Sequence, residues 1–134
     1  MRWFYFILAV ITLSWVGLTI YVQRDGQDIS VDIDGVEPSN KALVVFDPDP
    51  FYNLDQQLCK VFGETINQYQ WQVNIRSVSM ALNVQTFDYD LIVLCANTYN
   101  WAPDNSLVKW LKRINLNQKP VVLLTLGGGS TARA

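Results

Sequence analysis

The sequence predicts an α/β fold, a doubly wound parallel sheet with strand order 2-1-3-4, behind one N-terminal transmembrane helix. Three observations predict it. Residues 3–22 run for 20 residues without a charge. Beyond them, short apolar runs alternate with stretches whose apolar residues recur at helical spacing. Charged residues make up only 16% of the chain, and all of them lie outside the first segment; about a quarter is usual for soluble domains. The 134 residues therefore divide into an anchor at 1–24, an acidic linker at 25–40 and one α/β domain at 41–134.

The anchor reads WFYFILAVITLSWVGLTIYV. At 1.5 Å per residue a helix of that length matches the ~30 Å hydrocarbon core of a bilayer. Trp3, Tyr5 and Tyr21 lie near its ends, where aromatic rings favour the interface. A cleavable signal peptide would end in a small-x-small site. Leu18 to Val22 is bulky and no A-x-A follows, so the segment reads as an uncleaved, single-pass signal anchor. Arg2 and Arg24 bracket it, and the charge difference between the two sides is too small to assign an orientation.

From Asp25 to Asp55 eight acids face Lys41 alone. Such a surface repels a phosphate backbone, so no nucleic-acid partner is expected. The chain has no histidine, which excludes Ser-His-Asp and Cys-His catalysis within it and argues against zinc. Cys59 and Cys95 each fall in an apolar run and read as buried free thiols. The linker is expected to be a solvated spacer, although residues 28–35 alternate as a short ribbon strand would. Its Ser30-x-Asp32-x-Asp34-Gly35 pattern fails as a calcium loop, because Lys41 stands where the bidentate Glu belongs.

The domain elements follow in order. Ala42–Phe46 is a short strand apolar on both faces. Asp47-Pro48-Asp49-Pro50 breaks it. Asn53 with Gln56 has the spacing of a capping box, and Leu54, Leu58, Val61, Phe62, Ile66 and Tyr69 then form one helical stripe. Trp71, Val73 and Ile75 alternate with Gln72, Asn74 and Arg76, the pattern of an edge strand. A short helical turn is expected near Ala81 and Leu82. Leu91–Ala96 is an apolar central strand, residues 97–104 a loop, and Leu107, Val108, Leu111 and Ile114 a second amphipathic helix. Pro120 opens a last buried strand, 121–126, and Gly127-Gly128-Gly129-Ser130 leads into another helix start.

In such sheets ligands bind at the carboxyl ends of the strands. Three loops meet there, at 47–53, 97–103 and 127–130. A phosphate site wants free backbone N–H groups. The first loop offers two prolines and two carboxylates instead, and reads as a rigid turn. Tyr99 and Trp101 in the second suit stacking on a planar ring, or equally a cap on the core. The glycines of the third allow close backbone approach, or simply a tight turn.

Three stretches, KALVVFDPDP, FDYDLIVLCANTYNWAP and KPVVLLTLGGGS, together with Trp110-Leu111, make residues 41–134 resemble the flavodoxin-like family, most closely its membrane-anchored members. The resemblance implies FMN binding and electron transfer. It implies Asn97, Thr98, Tyr99 and Trp101 on one side of the flavin ring, Gly127, Gly128 and Gly129 along its other edge, and residues 49–53, with Asn53, at the phosphate. Two departures stand beside it. The family's Ser/Thr-x-Thr-Gly-x-Thr phosphate loop is absent. A further helix, strand and helix would follow strand four, so the domain is expected to be truncated at its C-terminus, with strand 121–126 an exposed edge open to oligomerisation. The alternative is a flavin-free descendant of the fold serving as a membrane-anchored binding or interaction domain. No residue stands out as a substrate acid or base, so enzyme activity is left unassigned.

Overall fold

The fold is that of a computed structural model, which describes residues 2–22, 26–49, 52–99, 102–116 and 118–127. The elements are α1 (Arg2–Val22), β1 (Ser30–Ile33), β2 (Asn40–Phe46), α2 (Leu54–Asn67), β3 (Trp71–Ser77), α3 (Val78–Ala81), β4 (Leu91–Tyr99), β5 (Ala102–Pro103), α4 (Asn105–Arg113) and β6 (Val121–Leu126), with a 3-10 turn at Thr86–Asp88. Helix α1 is long and apolar enough to cross a membrane, and none of its most apolar window is buried against the domain. Length and composition alone would also suit a signal sequence.

The domain is α/β, built on a five-stranded mixed sheet in the order β1-β3-β2-β4-β6. Strands β3, β2, β4 and β6 are parallel, while β1 runs antiparallel along the outside of β3. The sheet is therefore not purely parallel, contrary to expectation. The reason lies in the acidic linker. Its alternating segment pairs Ser30 with Arg76 and Ile33 with Val73, so part of the expected spacer is a strand of the domain.

That pairing also changes the meaning of the polar face of β3. Asn74 and Arg76 do not mark a solvent-facing edge, since β3 is flanked on both sides. They mark a contact with β1. Asn74 is 6% exposed and donates to Asp32, and Arg76 Nη2 reaches the same carboxylate at 2.6 Å. Burial by itself pushes Asp32 upward, but hydrogen bonds from Arg76 and Asn74 and the Arg76 charge outweigh it and hold the carboxyl below its ordinary value. Asp32, the central acid of the failed calcium pattern, is thus taken up by an ion pair.

Alternation along the parallel strands feeds two cores. Ala42, Val44, Phe46, Val73, Ile75, Val93 and Cys95 face α2 with Cys59. Leu43, Val45, Ile92, Leu94 and Ala96 face α3 and α4 with Tyr89, Leu107 and Trp110. Full burial stabilises each large apolar side chain by about 1.5–3 kcal/mol. Among the described residues Trp110 is the largest fully buried side chain, and its indole N–H donates to the Ala81 carbonyl at 3.2 Å, so its one polar group is satisfied inside the core.

The stripe on α2 is narrower than its apolar residues suggest. Leu58, Phe62 and Ile66 pack on the sheet, whereas Leu54, Val61 and Tyr69 are exposed. Gly63 lets the helix sit close, because a Cβ there would stand 3.0 Å from Ile33 Cδ1 and 3.2 Å from Val73 Cγ1. Cys59 and Cys95 are free and buried. Strand β6 is an edge among the described residues and is not buried on both faces as expected. Val122, Leu124 and Leu126 turn towards α2, while Leu123 on the other face is 60% exposed.

Candidate functional site

The carboxyl ends of β2, β4 and β6 enclose a cleft of about 360 Å³ lined by Asp49, Tyr52, Leu54, Asp55, Asn97, Thr98, Leu126 and Gly127. Each side chain arrives for a local reason. The Asp47-Pro48-Asp49 break ends β2 and delivers Asp49. Strand β4 does not stop at Ala96 as its apolar run suggests. It continues to Tyr99 and pairs antiparallel with Ala102–Pro103, so the described residues of the expected loop at 97–104 are largely β structure. Thr98 Oγ1 donates to the Leu126 carbonyl at 3.1 Å and ties β4 to β6. A Cβ on Gly127 would meet that hydroxyl at 2.7 Å, so glycine there leaves room for the tie.

Of the residues that the family resemblance places around a flavin, Asn97, Thr98 and Gly127 line this cleft. Tyr99 ends β4. Trp101, Gly128 and Gly129 lie outside the described residues. Asn53 precedes α2 but is not among the lining residues. It forms no capping hydrogen bond, and its side-chain oxygen accepts from Gln57 Nε2 at 2.8 Å instead. The capping box is therefore not formed.

The buried acid at this helix start is Asp55, which the sequence analysis counted only among the eight acids of residues 25–55. Asp55 is 2% exposed. Its carboxylate accepts from the backbone N–H of Asp49 at 3.1 Å, from that of Gln56 at 2.8 Å and from Asn97 Nδ2 at 3.3 Å. Burial pushes its pKa above the ordinary value, and the nearby Asp49 charge adds to the rise, against the lowering effect of the N–H groups. The neighbouring N–H of Tyr52 is taken by Asp49 Oδ1 at 3.1 Å. An Asp in the first turn of a helix that follows an acidic turn was the available signal.

This arrangement tests whether the residues fit the phosphate of FMN. A phosphate at a helix N-terminus needs open N–H donors and favourable charge. Here the donors of Asp49, Tyr52 and Gln56 are bonded to the protein's own carboxylates. No lysine or arginine is among the described residues lining the cleft. The described residues do not fit a phosphate monoester, because Asp55 already occupies the anion position. Apart from the carboxylates of Asp49 and Asp55, the described lining is apolar or neutral, with Tyr52, Leu54 and Leu126 as its large side chains.

A second polar cluster lies at the same end of the sheet. Asp47 directly follows β2, and Asp104 caps α4 by accepting the Ser106 N–H at 2.8 Å. Ser106 Oγ stands 2.5 Å from Asp47 Oδ2 and 2.7 Å from Asp104 Oδ1. One hydroxyl carries one proton and can donate to only one of these carboxyls. The other contact is a hydrogen bond only if a carboxyl supplies the proton. Burial, with the adjacent Asp104 carboxylate adding to it, pushes Asp47 up to about 6 against the lowering effect of hydrogen bonds from Ser106 and the Gly26 N–H. That last bond, 3.0 Å long, brings the chain leaving α1 to the carboxyl end of β2. Among the described residues no group of three or more His, Cys, Asp or Glu is arranged to hold a metal. Against known proteins, the chain matches no family model, no curated protein and no solved structure.

Proposed function

We propose that the chain is a membrane-anchored, flavin-free binding domain on a flavodoxin-like doubly wound scaffold, and that its cleft takes a small neutral or cationic ligand. The observation that carries this reading is the Asp55 carboxylate bonded to the backbone N–H groups where a cofactor phosphate would sit. The order of the parallel strands, β3-β2-β4-β6, supports the doubly wound scaffold. The anchor reading of α1 is supported by its bulky apolar end and by the bond from Gly26 to Asp47, which joins the chain just beyond the helix to the domain. Function on this scaffold follows from the site, and the site is acidic.

The test is flavin content. The full chain, purified in detergent, is expected to be colourless and to leave the fluorescence of added FMN unquenched. Stoichiometric FMN, co-purified or bound on titration, would overturn the reading in favour of electron transfer, where the flavin supplies the redox chemistry.

A further inference from the structure

Only residues 23–25 separate the end of α1 at Val22 from Gly26. Four fully extended residue steps span at most about 14 Å. Gly26 is not free to drift from the domain. Its N–H is bonded to Asp47 Oδ1 at 3.0 Å, and a Cβ at this position would stand 2.5 Å from the Pro48 carbonyl, so the backbone lies directly on the turn after β2. Three residues later a second clamp follows. The Ile29 N–H donates to Ser77 Oγ, and the Ser77 N–H donates to the Ile29 carbonyl at 2.9 Å. Asp47 and Ser77 both stand at carboxyl ends of parallel strands, and β1 then runs from there towards the amino ends. The chain therefore enters the domain at the end that carries the cleft.

We infer that the cleft end of the domain is held against the headgroup layer of the bilayer, with the opposite end of the sheet pointing away. The inference rests on the reading of α1 as an anchor. The headgroup layer adds roughly 5–8 Å on each side of the hydrocarbon core. The tether therefore keeps Asp47 within about two such thicknesses of the helix end. The opposite end is farther by about the length of α2, 14 residues or ~21 Å. At the cleft mouth Tyr52 is 70% exposed and Leu54 58% exposed, and both are side chains suited to an interface. The acids at this end, Asp47, Asp49 and Asp55, disfavour anionic lipid, so the surface it fits is a zwitterionic one. A ligand reaching the cleft would come from, or along, that surface.

Depth quenching in vesicles tests this. Tyr52 and Tyr69 flank α2 and are 70% and 72% exposed, so Tyr52→Cys and Tyr69→Cys each accept a fluorophore without touching the core. The native Cys59 and Cys95 are 0% and 1% exposed and stay unlabelled. The labelled full chains are reconstituted in phosphatidylcholine vesicles carrying a headgroup-attached nitroxide quencher. Quenching is expected to be several-fold stronger at position 52 than at 69. A Gly/Ser insert after Asp25, longer than the domain is tall, is expected to abolish the difference. Equal or reversed quenching in protein that floats with the vesicles would overturn the inference and leave the anchor reading standing. A difference that survives the insert would overturn the tether as its cause. A full chain that fails to float with the vesicles would overturn the anchor reading, and the inference with it.

Discussion

Two acids of this domain have opposite fates. Asp32, on the edge strand β1, meets a guanidinium and an amide, and its pKa is lowered. Asp47, at the carboxyl end of β2, meets Ser106, the Gly26 N–H and a second carboxylate, and its pKa is raised to about 6. The residue type is the same, and both hold a strand to a neighbouring segment. The difference is whether a cation arrives with the carboxylate. Arg76 makes the first contact insensitive to neutral pH. Burial, with Asp104 beside it and no cation, makes the second one depend on a proton. An edge can be fastened by charge, but the crowded end of a sheet gathers helix caps and turn acids, and like charges meet there.

Removing the titration at Asp47 breaks the comparison most strongly. A folded-state pKa near 6, above an unfolded value near 3.8, means that the native state holds the proton more tightly. This contribution is complete below about pH 4, falls as pH rises towards 6, and is lost above it. The span corresponds to about 3 kcal/mol as an order of magnitude. Asp47→Asn mimics the protonated form, since its oxygen still accepts from Gly26 and its amide donates to Ser106. The variant is expected to lose this slope and to be more stable than the parent at pH 7. Chemical unfolding of both proteins in micelles between pH 4 and 8 checks it, and parallel pH curves would refute it.

Arg76→Ala sharpens the other half. Arg76 Nη1 donates to the Val31 carbonyl at 3.1 Å besides the bond to Asp32, so the loss is expected to be about 1–2 kcal/mol. The same unfolding series reads it, and hydrogen exchange is expected to speed up in β1 before β2. Asp32→Asn should have the smallest effect. Its side chain is 50% exposed, so the change at pH 7 is expected to be a few tenths of a kcal/mol. The depressed pKa adds a sign. Asp32 stabilises the fold above its unfolded pKa, and that support is lost as pH falls. The difference between parent and Asp32→Asn should therefore shrink in acid, where that for Asp47→Asn also vanishes. A loss as large as that of Arg76→Ala would show that Asp32 is more than an edge fastening.

Much of the fold was legible in the residues. The runs 42–46 and 91–96 and the helical spacing of Leu58, Phe62 and Ile66 report burial directly, because each side chain answers to one neighbouring layer. Strand β3 was legible as a strand but not as an interior one. Its polar face looks the same whether water or Asp32 lies opposite, and only the pairing with β1 decides. Of the candidate cleft, three lining residues were singled out in the sequence and its buried acid was not. Asn97, Thr98 and Gly127 lie where strand ends converge, whereas Asp55 lies in a helix whose pattern says only that it faces away from the apolar stripe. Its burial depends on Asp49 and Asn97, which approach from other elements.

By itself the sequence determined the 20-residue apolar segment, the α/β alternation and the acidity of the turn after β2. These are properties of composition and period, and they belong to one stretch of chain at a time. Tertiary structure alone decided that part of the linker pairs with β3 as β1, that Asp55 is buried against the turn after β2, and that Gly26 ties the chain leaving α1 to the cleft end. Each depends on groups 6 to 46 positions apart meeting through hydrogen bonds a few ångströms long, a distance that no local pattern encodes.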